Sequence, residues 1–245
     1  VTFAAGLATQ GLLPFLVIYS TFLQRGYDQL IHDVALQQLK VIFCIDRAGL
    51  VGEDGATHQG VFDIAYLRCI PHIEIFAPRN EVELRNILYT AQLPEQDKAL
   101  AIRYPRGYGQ LTVWQLPFEK IEKKGVQLRE GTRYAVLSVG AIADEVAQEI
   151  NQHPEAEIFA HYDMRWIKPL DEELLHHVLK KYQAVITVEE GCKAGGFGES
   201  IVVFAKEKGY SLPIRIVAIA DVFVEHGSVA LQRAFTGLTN FLAEK

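Results

Sequence analysis

The side chains best suited to chemistry lie in one glycine-rich loop, residues 46–60, which reads DRAGLVGEDGATHQG. Its glycines allow positive φ and a close backbone approach to a ligand, while Arg47, Glu53, Asp54 and His58 offer charge and proton transfer. The preceding run KVIFCI is apolar and β-branched, which predicts a buried parallel strand. Ligands collect beyond the carboxyl ends of such strands, so a site is expected here, although a solvated connection would also fit this loop alone.

Two further predicted strands also end in polar clusters. FLVIY leads into residues 19–33, YSTFLQRGYDQLIHD, and ALAI leads into residues 103–107, RYPRG. Three strand ends therefore carry charged and aromatic side chains, which favours a functional site over three solvated loops.

The elements that must position these clusters alternate between strand and helix along the whole chain. This pattern predicts an α/β fold of two doubly wound domains, each a parallel sheet covered by helices. We expect the first domain over residues 1–107 and the second over residues 125–245. Periodicity fades over residues 108–124, which we interpret as the interdomain linker.

Local signals predict where several helices begin. We expect a helix over residues 22–39, Pro78 in the first turn of another, and Asp171 as an N-cap. The run GGFG at residues 195–198 favours a turn that starts a helix over an anion cradle, because it does not match GxGxxG. A last helix is expected to run toward Lys245.

Composition excludes several classes of function. The 245 residues carry a net charge of −6 and no lysine or arginine cluster, which argues against nucleic acid as a partner. No apolar stretch approaches the roughly 20 residues needed to span a bilayer, so we expect a cytoplasmic protein without a membrane partner. The odd number and wide spacing of the cysteines predict reduced thiols rather than disulfides or a metal site: Cys44, Cys69 and Cys192.

Taken in order, YSTFLQR, DRAGLVGEDGATHQG, YLRCIP and RYPRG resemble the 1-deoxy-D-xylulose-5-phosphate synthase family, thiamine-diphosphate enzymes related to transketolase. The resemblance covers essentially the whole chain. It implies a pyrimidine-binding domain followed by a transketolase-type C-terminal domain that helps to build a homodimer. The implied reaction is the decarboxylating condensation of pyruvate with glyceraldehyde 3-phosphate, which feeds isoprenoid, thiamine and pyridoxal precursors.

The resemblance also implies roles for the residues around the cofactor. Phe22 would stack on the aminopyrimidine ring with Tyr19 beside it, whereas composition alone would make Phe22 a core anchor. Asp54 and His58 would contact the donor-derived intermediate and the acceptor hydroxyl, imidazole being suited to proton transfer near neutral pH. Arg25 is placed with these catalytic residues, a solvated helix charge being the alternative.

Phosphate recognition is implied for Arg47 and Arg106, together with Tyr19. A guanidinium presents a planar fork of donors that matches two phosphate oxygens at once. Pro105 fixes its own φ and can aim Arg106 stiffly. Arg103, in the same motif, is interpreted as a strand-end charge.

Two elements of the implied family have no counterpart in this sequence. These are the glutamate that activates the cofactor ring and the Gly-Asp-Gly segment that holds Mg²⁺ and the diphosphate. Because the chain begins at Val1 inside an apolar helical pattern without an N-cap, we expect a carboxyl-terminal fragment with its first domain truncated. We expect it to be inactive alone and to hold no metal, Mg²⁺ being bound mainly by the missing amino-terminal domain.

Two other functions remain open at this point. The β subunit of a 2-oxo acid dehydrogenase has the same domain order, although RYPRG and DGATHQG argue against it. A dimerisation module without activity is the second alternative. Three titratable residues also stay unassigned: Glu189 and Glu190, which could form an acid pair, and His226.

Overall fold

The computed structural model describes residues 1–109, 111 and 116–242. Two five-stranded sheets with flanking helices account for most of this described part of the chain. The prediction of two α/β domains with largely parallel sheets is therefore confirmed.

The strands within the described residues are numbered in chain order. They are β1 (Phe15–Tyr19), β2 (Ile42–Asp46), β3 (Ile73–Phe76), β4 (Ala99–Arg103), β5 (Val126–Arg129), β6 (Tyr134–Val139), β7 (Phe159–Asp163), β8 (Trp166–Lys168), β9 (Ala184–Cys192) and β10 (Ile214–Ile219). The first sheet has the order β1-β2-β4-β3-β8 and the second has the order β10-β9-β6-β7-β5.

The helices of the described residues are numbered in the same way. They are α1 (Thr2–Thr9), α2 (Ser20–Leu23), α3 (Tyr27–Gln29), α4 (Asp63–Arg68), α5 (Glu81–Thr90), α6 (Ala143–Gln152), α7 (Glu172–Lys181), α8 (Phe197–Glu207) and α9 (Val229–Thr236). None of these helices has both the length and the apolar character needed to span a membrane.

The register of the first sheet brings the three polar clusters together. β1, β2 and β4 run parallel, with Tyr19 opposite Asp46 and Ile45 opposite Arg103. Their carboxyl ends therefore meet at one edge of the sheet, where parallel α/β folds place their ligands. β2 and β4 are almost fully buried, as expected for apolar runs covered on both faces.

One strand crosses from the second half of the chain into the first sheet. β8 pairs antiparallel with β3, and the ring of Trp166 packs edge-to-face on Phe76 with 5.0 Å between centroids. Sequence analysis missed both β8 and β5, because three or four residues carry too little periodicity to identify a strand. The domain boundaries at residues 107 and 125 stay predictions, and residues 110 and 112–115 of the expected linker lie outside the described residues.

Two predicted helices differ from the structure. The helix expected over residues 22–39 is a succession of short turns, α2, a 3₁₀ turn, α3 and a π turn that ends at Ala35. Pro78 lies before its helix rather than in the first turn. The N-cap of α5 is Asn80, whose side chain accepts a hydrogen bond from the Glu83 N–H at 3.0 Å.

Two other helices begin where the sequence predicts, and the last helix ends earlier than expected. Asp171 is the N-cap of α7, accepting from the Leu174 N–H at 3.0 Å, as predicted. The GGFG turn starts α8 at Phe197. The last helix, α9, ends at Thr236 rather than continuing toward Lys245, because Gly237 adopts the left-handed conformation of a helix C-cap.

Candidate active site

The loop after β2 is closed by a pair of glycines. Gly49 and Gly60 exchange both backbone hydrogen bonds, at 2.7 and 2.8 Å. A Cβ on Gly60 would lie 2.1 Å from the Arg47 carbonyl oxygen, so only glycine fits there. Arg47 itself has φ of +58°, and its N–H donates to the Asp46 carboxylate at 2.7 Å. The loop thus holds Arg47 directly after the end of β2.

Asp54 is the charged centre of the site. It ends the 3₁₀ turn Gly52–Asp54, and its Oδ2 accepts a hydrogen bond from the Arg47 guanidinium. The same oxygen lies 3.2 Å from Arg106 Nε. The Arg47 guanidinium also lies over the Tyr19 ring, 4.3 Å from its centroid, in a cation–π contact. Two guanidiniums therefore converge on one carboxylate, and these three side chains together carry one net positive charge.

Phe22 forms the aromatic side of the same cluster. Its ring stacks on Tyr19 with 5.1 Å between centroids, and His58 meets its edge at 5.5 Å. The residue is 47% exposed, so Phe22 is a surface aromatic, not the core anchor that composition alone would suggest. A half-open aromatic ring can take a further flat ring in an offset stack.

His58 is linked through Thr57 to α2. Its Nδ1 lies 2.9 Å from Thr57 Oγ1, and the Thr57 carbonyl accepts a hydrogen bond from Thr21 Oγ1 at 3.1 Å. Because Thr21 belongs to α2, this link ties the histidine to the helix that carries Phe22.

Six of the predicted residues thus form one connected cluster. Their order of contact is Arg106, Asp54, Arg47, Tyr19, Phe22 and His58. Arg25 is exposed in the 3₁₀ turn Gln24–Gly26, and no hydrogen bond or ion pair among the described residues joins it to the cluster. Its catalytic role stays a prediction.

Arg103, the last residue of β4, is a buried charge. Only 5% exposed, it donates from Nε to Asp63 at 3.0 Å and from Nη2 to the Glu190 carbonyl at 3.2 Å. Burial opposes the charge, but Asp63 outweighs it, so the pKa of Arg103 is raised. Arg103 is the last residue of β4, as the strand-end interpretation expected, but its charge is buried and paired with Asp63.

The unassigned glutamates have separate partners. The buried carboxylate of Glu189 accepts the N–H groups of Phe197 and Gly198, both at 2.7 Å, and so caps α8. Burial raises the pKa of Glu189 to about 7, while these two hydrogen bonds oppose the shift. Glu190 instead pairs with Arg233 at 2.8 Å. The two glutamates do not form an acid pair.

Sequence analysis missed the residues that hold the site loop against the second domain. Gln59 and Gln232 are both buried and hydrogen-bonded to backbone groups across the two domains. His226 packs on the same loop, its Cβ 3.2 Å from the position that a Cβ on Gly55 would occupy. No local pattern marks such glutamines, since their partners are set by tertiary contact alone.

No group of three or more His, Cys, Asp or Glu side chains within residues 1–109, 111 and 116–242 is arranged to hold a metal ion. The three cysteines are free thiols. Burial raises the pKa of Cys44 to about 11.

Comparison with known proteins places this geometry in a family. Residues 1–110 match the transketolase pyrimidine-binding domain and residues 123–240 match the transketolase C-terminal domain. The 1-deoxy-D-xylulose-5-phosphate synthase of Cytophaga hutchinsonii is 51% identical over 232 residues, which cover 94% of this chain and 36% of that protein. This chain belongs to the transketolase-like 1-deoxy-D-xylulose-5-phosphate synthase family. The resemblance read from its motifs is confirmed.

Further members of the family show the same extent of similarity. The synthases of Bacteroides fragilis and Porphyromonas gingivalis are 53% and 50% identical, covering 94% and 97% of this chain. The chain spans 36% and 38% of the length of these two relatives. The family is one of thiamine-diphosphate-dependent transferases, as the motifs implied.

Solved structures agree on the fold. A structure described as a split gene transketolase, inactive beta4 tetramer, superposes with a TM-score of 0.83 at 28% identity, covering 97% of this chain and 75% of that one. The transketolase of Campylobacter jejuni superposes with a TM-score of 0.75 over 99% of this chain and 37% of its own length. At 18% identity, the second likeness concerns the fold alone.

Proposed function

We propose that this chain forms the part of a 1-deoxy-D-xylulose-5-phosphate synthase that holds the cofactor pyrimidine and the acceptor phosphate. The observation that carries the proposal is the convergence of Arg47 and Arg106 on Asp54, with the Tyr19 ring under Arg47 and the half-exposed Phe22 stacked on Tyr19. The reaction is the decarboxylating condensation of pyruvate with glyceraldehyde 3-phosphate, a step toward isoprenoid, thiamine and pyridoxal precursors.

The arginine pair suits the phosphate of the acceptor. Asp54 neutralises one of the two guanidiniums and holds both near the same point. The remaining positive charge attracts a phosphate, whose oxygens match the planar guanidinium fork. The Tyr19 ring under Arg47 limits the freedom of that side chain, so less conformational entropy is lost when the phosphate binds.

The aromatic pair suits the cofactor pyrimidine. Phe22 keeps half of its surface open beside Tyr19, which fits a flat heteroaromatic ring in an offset stack. Thiamine diphosphate supplies, when bound, the nucleophilic carbon and the electron sink that decarboxylation requires. His58, at the edge of Phe22, would hold or move a proton at a substrate oxygen near neutral pH.

The rest of the site is proposed to come from elsewhere in the enzyme. The relatives extend well beyond the part that this chain matches, and we assign the diphosphate and Mg²⁺ mainly to that additional part. A cytoplasmic homodimer belongs to the same proposal, with Arg25 as a further catalytic residue. Neither nucleic acid nor a membrane is proposed as a partner.

The test measures product formation with thiamine diphosphate, Mg²⁺ and pyruvate. We expect no turnover from this chain alone and turnover with glyceraldehyde 3-phosphate once the remaining segment of the family is supplied, because positioning and cofactor activation need both parts. The inactive tetramer of the split gene transketolase supports this expectation. Turnover by the chain alone would refute the fragment interpretation, and use of a lipoyl acceptor instead of the aldehyde would favour a 2-oxo acid dehydrogenase subunit.

A further inference from the structure

One glutamine of the second domain hydrogen-bonds to both backbone polar groups of a single residue in the site loop. Gln232, on α9, donates from Nε2 to the Gly52 carbonyl at 2.9 Å and accepts at Oε1 from the Gly52 N–H at 2.9 Å. The same Nε2 donates to the Glu225 carbonyl at 2.8 Å. Gln232 is 3% exposed, so these bonds are made away from water. A neutral amide side chain combines the N–H donor and carbonyl acceptor that this double contact requires.

Gly52 begins the turn that carries Asp54. It has φ of +70° and opens the 3₁₀ turn Gly52–Asp54, two residues before the carboxylate that holds both arginines. A Cβ on Gly52 would lie 3.3 Å from the Gly227 carbonyl oxygen and 3.3 Å from Val229 Cγ2, so the turn packs directly on the second domain. Glycine has wide conformational freedom, and the turn therefore depends on an outside partner for its orientation.

A second glutamine holds the neighbouring part of the loop. Gln59 accepts at Oε1 from the Val51 N–H at 2.9 Å and donates from Nε2 to the Val224 carbonyl at 3.2 Å. It is 4% exposed. Since Val224 belongs to the second domain, the loop is fastened to that domain on both sides of Asp54.

We propose that Gln232 is a positioning residue for the acceptor phosphate, acting through Gly52 and Asp54 on the pair Arg47 and Arg106. The inference rests on the proposed function where it concerns the acceptor. Its structural part, that the second domain holds the Asp54 turn through Gln232, stands without it. Losing the amide leaves the buried Gly52 N–H without its partner, while the Gly52 carbonyl keeps the N–H groups of Gly55 and Gly227. An unsatisfied buried N–H favours a rearranged turn.

The first measurement follows amide hydrogen exchange of residues 50–58 in the isolated chain. Gln232→Met keeps the length of the side chain but removes the amide, and Gln232→Asn keeps the amide but is one methylene too short to span both atoms of Gly52. We expect either variant to speed exchange in this segment at least about tenfold, because the opening free energy of the turn falls. Exchange as slow as in the wild type, in whichever of the two variants folds, would overturn the proposal regardless of catalytic activity.

Gln96→Met is the matched control. Gln96 is 4% exposed, close to the 3% of Gln232. Its Nε2 donates to Glu74 at 3.0 Å and to the Lys98 carbonyl at 3.2 Å, and it lies before β4, at the other end of the sheet. Gln96→Met should lower the free energy of unfolding without speeding amide exchange at residues 50–58. Equal acceleration in the control would show general loosening and would overturn the specific role of Gln232.

The second measurement uses an active enzyme that contains this chain. We expect Gln232→Met to raise KM for glyceraldehyde 3-phosphate by about threefold to thirtyfold and to leave KM for pyruvate unchanged, with no such split in Gln96→Met. Equal changes for both substrates would overturn the link to the acceptor. Suppose that Gln232→Met speeds exchange at residues 50–58 but that the enzyme containing the wild-type chain has no synthase activity. The proposed function would then be refuted, and the structural role of Gln232 would stand.

Discussion

At the scale of single residues, the site depends on how Asp54 shares its charge. Its Oδ2 contacts Arg47 and Arg106 together, so each guanidinium is held but not fully neutralised. Arg47 is further fixed by the Tyr19 ring, whereas Arg106 is more exposed and has the freer approach to a ligand. We therefore expect Arg106 to be the more sensitive reporter of phosphate recognition.

Arg106→Ala is expected to impair use of the acceptor far more than use of the donor. A charge-assisted hydrogen bond contributes roughly 1.5 to 3 kcal/mol, so kcat/KM for glyceraldehyde 3-phosphate should fall by about tenfold to a hundredfold. Arg106→Lys should recover part of this, because an ammonium keeps the charge and loses the fork. Unphosphorylated glyceraldehyde is the internal control. Equal impairment with both aldehydes would show that Arg106 does not bind the phosphate.

Phe22→Ala is expected to weaken cofactor binding while leaving the fold nearly intact. A buried phenylalanine would cost about 3 to 5 kcal/mol on truncation, but Phe22 is half exposed and stacks only at the surface. Thermal unfolding without cofactor should therefore change little, and thiamine diphosphate should bind more weakly to the enzyme that contains the variant. A large fall in the Tm of the cofactor-free variant would assign Phe22 to the core instead.

At the scale of elements, the loop between β2 and α4 depends on close backbone contact. Gly60 approaches the Arg47 carbonyl and Ser20 so closely that a methyl group has no room. Gly60→Ala must therefore displace either the strand end with Arg47 or the start of α2.

We expect Gly60→Ala to lower the free energy of unfolding by about 1 to 3 kcal/mol, the usual cost of an overpacked position. Urea unfolding would measure it. Gly6→Ala is the matched control, because Gly6 lies in α1 with nothing within 4 Å of its Cβ position, and alanine there should stabilise by about 0.5 to 1 kcal/mol. An unchanged free energy of unfolding in Gly60→Ala would mean that the loop can shift to accommodate the added methyl group.

At the scale of the whole molecule, buried charges join the two domains. Arg165, which follows β7, pairs with Glu83 of α5 at 2.8 Å, and its N–H donates to Asp163 at 3.1 Å. Burial and the neighbouring Glu83 raise the pKa of Asp163 from its ordinary value of 3.8 to about 7, against the opposing effect of Arg165 and Arg79. The domain junction therefore contains a carboxyl group that titrates near neutral pH.

Stability is expected to fall as pH rises through the range from about 4 to 7. Because folding raises the pKa of Asp163, the folded state binds more protons than the unfolded state over this range. The stabilisation from Asp163 is therefore fully present at low pH and is lost as the pH rises through its folded pKa. Asp163→Asn should remove this loss. Its free energy of unfolding, compared with that of the wild type at the same pH, should be higher at pH 8 than at pH 5. Asp221→Asn, at an exposed position, should show no such trend. Parallel pH profiles for wild type and Asp163→Asn would contradict the raised pKa.

Much of the architecture was decided locally. Apolar runs such as FLVIY and KVIFCI specify strands through their own side chains, and Asp171 caps its helix within three residues. Because parallel strands share one direction, the polar residues after β1, β2 and β4 had to meet at one edge, and the motifs there identified the family.

Other features were decided only when distant surfaces met. Arg103 became a buried cation because Asp63 and Glu190 close over it, and β8 found its place through Trp166 packing on Phe76. Gln232 lies 180 residues from Gly52, so no local period or spacing relates the two. By itself, the sequence determined the elements and the chemistry of the strand ends, since both depend on neighbours along the chain. The tertiary structure alone decided which buried polar groups support that site, because a buried hydrogen bond requires partners that only the packed domains bring together.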